Sequence, residues 1–164
     1  MGASASEIDR RKALWDSMLD AEMNQCYWEI LSARYSTWDR YLKFFIAFAA
    51  SGAVAGWGIW SQYPGGWKVF SAVAAIAAVA HPFFVSSEAL KRMSELVATW
   101  KEVFIDYELL WYKDGQLQST EAWSEFETIK HREAHIDETR LPGSKRLLEK
   151  AFSHVLKKRG LTNG

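Results

Sequence analysis

LKFFIAFAASGAVAGWGIWSQYPGGWKVFSAVAAIAAVAHPFFV, residues Leu42–Val85, is the stretch from which the rest of the chain is read. It contains two apolar runs, Leu42–Trp60 and Trp67–Val85, on either side of the polar hinge Ser61-Gln62-Tyr63-Pro64-Gly65-Gly66. Lys43 and Lys68 are the only formal charges, each near the start of its run. Nineteen helical residues reach roughly 28 Å, close to the ~30 Å hydrocarbon core of a bilayer. The spacing predicts a transmembrane hairpin: a first span at 42–60, an outer hinge at 61–66 and a second span at 67–85. A buried hairpin in a helical bundle is the rival reading, since both runs are rich in Ala and Gly rather than Leu.

The flanks favour the bilayer. Trp57, Trp60, Tyr63 and Trp67 cluster at the hinge, and Trp38, Tyr41, Phe83 and Phe84 lie near the other mouth, as interfacial aromatic belts do. Arg34, Arg40 and Lys43 precede the first run, Lys91 and Arg92 follow the second, and the hinge side holds only Lys68. The positive-inside bias then predicts a multi-pass membrane protein, with the lipid bilayer as a partner, the hinge outside and both termini in the cytoplasm. Gly52 and Gly56 form a GxxxG, and Ala74 and Ala78 give the second run a small face for close helix packing. Ser51, Ser71 and His81 are the polar residues at membrane depth and the candidates for lining a water path. Pro82 is expected to kink the second run.

The arms read as helices, so the fold class is all-α, a single domain over 1–164 in which the hairpin continues into a cytosolic bundle. Residues 1–6 are expected to be a disordered leader and 7–41 a cytosolic arm helix. In the arm, Trp15, Leu19, Met23, Cys26/Tyr27, Ile30/Leu31, Trp38 and Tyr41/Leu42 recur at three- and four-residue steps. Beyond the second run, 86–112 carries Leu90, Met93, Val97, Trp100, Phe104, Tyr107 and Trp111 at steps of 3, 4, 3, 4, 3 and 4. That heptad stripe predicts a packed helical partner, either the chain's own arm or another subunit. Leu96, Val103 and Leu110 widen it beyond the needs of a two-stranded seam. Two shorter helices are expected within 119–160. The second is capped by Ser144 and closed by Lys157-Lys158-Arg159-Gly160.

Composition narrows the chemistry. Twenty basic and twenty acidic side chains leave no net charge, against the basic field that a nucleic-acid binder needs. The mean hydropathy of −0.20 conceals an apolar centre between polar arms. Cys26 is the single cysteine, so neither an internal disulfide nor a thiolate metal site is available. Gly2 and Ser6 match the loose myristoylation pattern, which ordinary small-residue leaders also satisfy. His131 and His135 share a helix face and are the one metal-ligand pair. The zinc-protease motif needs Glu directly after its first His, and Arg132 stands there instead. No nucleophile elbow, phosphate loop or Cys–His arrangement is present in the sequence. The chain reads as a non-enzyme with no cofactor.

Trp15 in a long amphipathic helix, the Ala33-Arg34-Tyr35 step, the hairpin, the Asp106-Tyr107-Glu108-Leu109-Leu110-Trp111 helix end and the Leu141-Pro142 break follow one another in order. This layout resembles the SLATT family of bacterial two-helix membrane effectors, and small hairpin membrane proteins encoded by phages and prophages. The resemblance implies a membrane-disrupting pore of the bacterial cytoplasmic (inner) membrane in phage–bacterium conflict, answering to a separate sensor or to a phage or host protein. The expected function is therefore a homo-oligomeric channel or pore. The alternative is a non-conducting membrane adaptor or scaffold whose cytosolic helices bind a partner protein.

Overall fold

The computed structural model of the chain describes residues 5–51, 64–84, 87–137 and 143–161. Their regular structure is wholly helical, as the periodicities predict. In chain order the helices are α1 (Ala5–Ala50), α2 (Pro64–Phe84), α3 (Ser87–Lys113), α4 (Ser119–Glu133) and α5 (Lys145–Lys158). They divide into two compact units. Unit 1 is assembled from Met1–Leu31 and Arg92–Gly164, and unit 2 is Ser32–Lys91.

Unit 1 has a well-packed core. On α3, Met93, Leu96, Trp100, Val103, Tyr107 and Leu110 are buried at steps of 3, 4, 3, 4 and 3. Leu90, Val97, Phe104 and Trp111 are half-buried at the margins, so the centre of the stripe is displaced toward Leu96, Val103 and Leu110. On α1 the buried positions are Arg10, Leu14, Ser17, Met18, Ala21, Glu22, Tyr27, Trp28 and Leu31. Trp15, Leu19 and Met23 are half-buried while Tyr27 and Leu31 of the same stripe are buried, so over the first turns the buried face is turned by about one residue, or ~100°, from the apolar stripe in the sequence. Three polar side chains explain the turn, because each has a partner that makes burial tolerable. Arg10 meets Asp114 at 2.7 Å and donates to Ser119 Oγ at 3.3 Å. Glu22 accepts from Lys158 Nζ and, at 2.8 Å, from Arg159 Nε. Ser17 is hydrogen-bonded to Tyr107.

The shorter helices complete unit 1. α4 buries Ala122, Phe126 and Ile129, and α5 buries Leu147, Ala151 and Val155. Ring pairs tie α3 to α4, with Tyr107 and Phe126 centroids 6.0 Å apart, and α1 to α3, with Trp15 and Trp111 5.3 Å apart. Ser144 stands at the N-cap of α5, but its contribution is through the backbone. Its carbonyl accepts from Leu147 and Leu148, and its N–H donates to Tyr27 Oη at 2.9 Å. At the other end Gly160 has φ +69°. Leu161 N donates to Leu156 O and Gly160 N to Lys157 O, the paired bonds of a Schellman closure. Gly160→Ala is expected to destabilise unit 1 by about 1–2 kcal/mol, since a Cβ is strained in that conformation. Urea unfolding of the two proteins side by side measures it.

The membrane expectation is corrected. Among the described residues no helix is long and apolar enough to cross a membrane. In α2 the uncharged segment between Lys68 and His81 is Val69–Ala80, which includes Ser71. Twelve residues span only ~18 Å, against the ~30 Å of a hydrocarbon core. In α1 the described apolar segment is Leu42–Ala50, nine residues that include Lys43. The transmembrane hairpin and the placement as a multi-pass protein of the bacterial inner membrane with cytoplasmic termini are accordingly withdrawn. The assumption that failed was keeping Lys43, Lys68, His81 and Pro82 inside the nineteen-residue spans instead of letting them bound shorter apolar segments. Pro64, assigned to the hinge in the sequence, is the first residue of α2, where its fixed φ suits a helix start.

Candidate interaction surface

Unit 2 is built on a different principle from unit 1. Among its described residues none is buried. Ala72, Ala74, Ala75, Ala77, Ala78 and Ala80 give α2 strong helix propensity, enough to carry the β-branched Val69, Val73, Ile76 and Val79. The half-buried side of α2 is Phe70, Ser71, Ala74, Ala77 and Ala80, mostly small. Phe70 meets Phe45 of α1 edge-to-face, with centroids 5.7 Å apart. The bulky residues point the other way: Val69, Val73, Ile76 and Val79 are 65%, 52%, 68% and 70% exposed. The amphipathicity of α2 is thus inverted, with small side chains inward and large apolar ones outward.

The neighbouring part of α1 shows the same tendency. Trp38, Tyr41 and Phe44 are 64%, 68% and 70% exposed, and Phe48 is 39% exposed. Phe44 and Phe48 stack with rings only 13° from parallel. Lys43 is paired with Asp39 at 2.7 Å one turn earlier in its own helix. An exposed apolar area of this extent is larger than the scattered surface apolar residues of an ordinary helical domain and makes this the candidate interaction surface.

The residues singled out in the sequence are distributed differently. Ser51 donates its hydroxyl to Phe48 O at 2.7 Å, a local closure at the end of α1. Ser71 and Ala74 lie on the half-buried side of α2, whereas Ala78 is exposed. His81 belongs to α2, and Gly52 and Gly56 lie outside the described residues. A common pore wall of Ser51, Ser71 and His81 depended on membrane spans, and the described helices do not supply them. Met93, Trp100 and Tyr107 are buried within the single chain.

His131 and His135 are both exposed on α4 and the turn after it. Their rings lie 4.6 Å apart, and His135 Nδ1 is 2.6 Å from His131 O. Among the described residues no group of three or more His, Cys, Asp or Glu is placed to hold a metal ion. Cys26 lines a 180 Å³ cavity with Glu22, Glu29 and His154. Burial first, and then Glu29 and Glu22, push its thiol above the ordinary 9.0, the wrong direction for a nucleophile.

No family model, curated protein or solved structure matches this chain. The outward valines and isoleucine of α2 were not singled out in the sequence. Their steps of four, three and three were visible there, but in a run apolar on every side, spacing does not tell which side is covered.

Proposed function

We propose that this chain is a non-catalytic helical scaffold, in which unit 1 supplies a stable packed core and unit 2 supplies a binding surface for protein helices. The inverted face of α2 carries the reading: Val69, Val73, Ile76 and Val79 point outward, while small residues take the half-buried side. Burying a side chain of this type contributes about 1.5–3 kcal/mol, so an uncovered row of four is a large unrealised stabilisation. Helix-in-groove and helix-on-helix partners read such 3–4 spaced anchors. The non-catalytic part of the reading is supported by the direction in which Cys26 and Tyr107 are shifted, both away from the reactive anion.

Hydrogen exchange tests the surface. In the purified full-length protein at working concentration, the amides of Val69–Val79 are expected to exchange slowly. In the Val73→Glu/Ile76→Glu variant they should exchange quickly, with the rates in α3 unchanged. Equally fast exchange in both proteins would show that nothing covers α2 and would overturn the reading.

A further inference from the structure

We infer that the molecule covering the outward face of α2 is a second copy of this chain, packed about a two-fold axis near Val73 and Ile76. The inference rests on the scaffold reading and names its partner. Three observations converge on it.

The first is area. With an aromatic side chain offering ~150–250 Å², the exposed aromatics of α1 and the aliphatic row of α2 together present on the order of 800 Å². That is about the share each partner contributes to a standard stable interface.

The second is pattern. Val69, Val73, Ile76 and Val79 step by four, three and three, and Tyr41, Phe44 and Phe48 by three and four. Those steps are the seams by which helices of a bundle pack along one another. Between Lys68 and His81 the α2 face carries no charge, so it requires an equally uncharged seam opposite. The same chain supplies one. A two-fold pairing sets a patch against itself, so Val73 and Ile76 meet their own counterparts. The exposed Ala72 and Ala75 beside them allow close backbone approach.

The third is charge. Twenty basic and twenty acidic side chains cancel, so two copies approach without net repulsion. Pairing two such two-helix units gives four helices around a shared apolar core, which a two-helix unit with no buried described residue lacks by itself.

The test is the mass of the full-length protein by light scattering across a hundredfold range of concentration. Twice the 18.8 kDa chain mass is expected. The Val73→Glu/Ile76→Glu variant is expected at the single-chain mass. A second measurement guards against misfolding of that variant. In a Cys26→Ser background, Val73→Cys should form an intermolecular disulfide under mild oxidation, and Lys150→Cys, on the exposed side of α5, should not. A single-chain mass for the unaltered protein at every concentration, or no cross-link through residue 73, overturns the inference. If α2 amides are nonetheless protected by a different, identified protein bound one-to-one, the scaffold reading stands and only the identity of the partner falls. Flotation of a single-chain species with phosphatidylcholine vesicles, abolished by Val73→Glu/Ile76→Glu, would overturn both.

Discussion

Asp114→Ala is expected to destabilise unit 1 by about 3–5 kcal/mol, read from the urea midpoint at unchanged slope. Asp114 sits in the turn after α3, and its side chain is only 2% exposed; that of Arg10, opposite it, is 4% exposed. Arg11 adds a second cation at 3.7 Å. Removing the carboxylate leaves a buried guanidinium that keeps the hydroxyl of Ser119, at 3.3 Å, as a neutral acceptor. Among the described residues Arg10 Nε and both Asp114 oxygens have no aligned hydrogen-bond partner, so proximity of charge rather than directed bonding holds the pair. The double variant Arg10→Met/Asp114→Leu is therefore expected to recover most or all of the lost stability. It removes two desolvation costs together and fills the same space with apolar atoms. A double variant as unstable as Asp114→Ala would show that the pair is structurally indispensable.

Tyr107 is the second position at which a large effect is expected. It is fully buried, and its hydroxyl donates to Glu133 Oε2 at 2.6 Å. Tyr107→Phe is expected to cost about 1.5–3 kcal/mol, the range for a hydrogen bond to a charged group. Tyr107→Ala adds a cavity and is expected to cost about 3–5 kcal/mol. The pH dependence has a definite sign. Burial first, and then the hydrogen bond to Glu133, raise the phenol well above its ordinary 10.0. Above that value the unfolded chain ionises while the folded chain keeps the proton. The stabilisation is therefore complete below pH 10.0 and is lost as the pH climbs toward the folded value. The loss approaches ~1.4 kcal/mol per pH unit. Unfolding midpoints measured from pH 9 upward should show this decline in the unaltered protein, and a shallower one in Tyr107→Phe.

How much of this was legible depended on which residues carried the signal. The apolar side of α3 was readable in outline, because charged residues between its apolar ones fix the solvent side. Within the heptad, however, Met93, Trp100 and Tyr107 are buried while Leu90, Val97, Phe104 and Trp111 are half-buried, and Leu96, Val103 and Leu110 share the centre. On α1 the same method found Tyr27 and Leu31 but was off by about one position at Trp15, Leu19 and Met23. Arg10, Ser17 and Glu22 are buried by virtue of partners at Asp114, Tyr107, Lys158 and Arg159, and no window of local sequence contains those partners. The closure at Gly160 was readable because only one residue type suits that backbone. α2 was readable as a helix but not in its orientation. Its length was overcounted because Lys68, His81 and Pro82, each noted in the sequence, were kept inside the nineteen-residue span instead of being taken as its limits. The pairing of Phe45 with Phe70, and the small residues on the half-buried side of α2, became visible only with the fold.

The discontinuity of unit 1 has a consequence in time. Its two parts, Met1–Leu31 and Arg92–Gly164, are separated in the chain by the whole of unit 2. On a ribosome adding about 5–20 residues per second, the first part waits several seconds for the second. Throughout that interval Arg10 has no Asp114, Glu22 has no Arg159, and Leu14, Met18 and Trp28 have no core to enter. Unit 2 is made inside the same interval and is contiguous, so its helices can pair first. The outward face of α2 is thus displayed by a contiguous, already paired unit while the first part of unit 1 still waits for its partners. Neighbouring ribosomes on one message hold many copies of that face close together, well before any of them has a finished core.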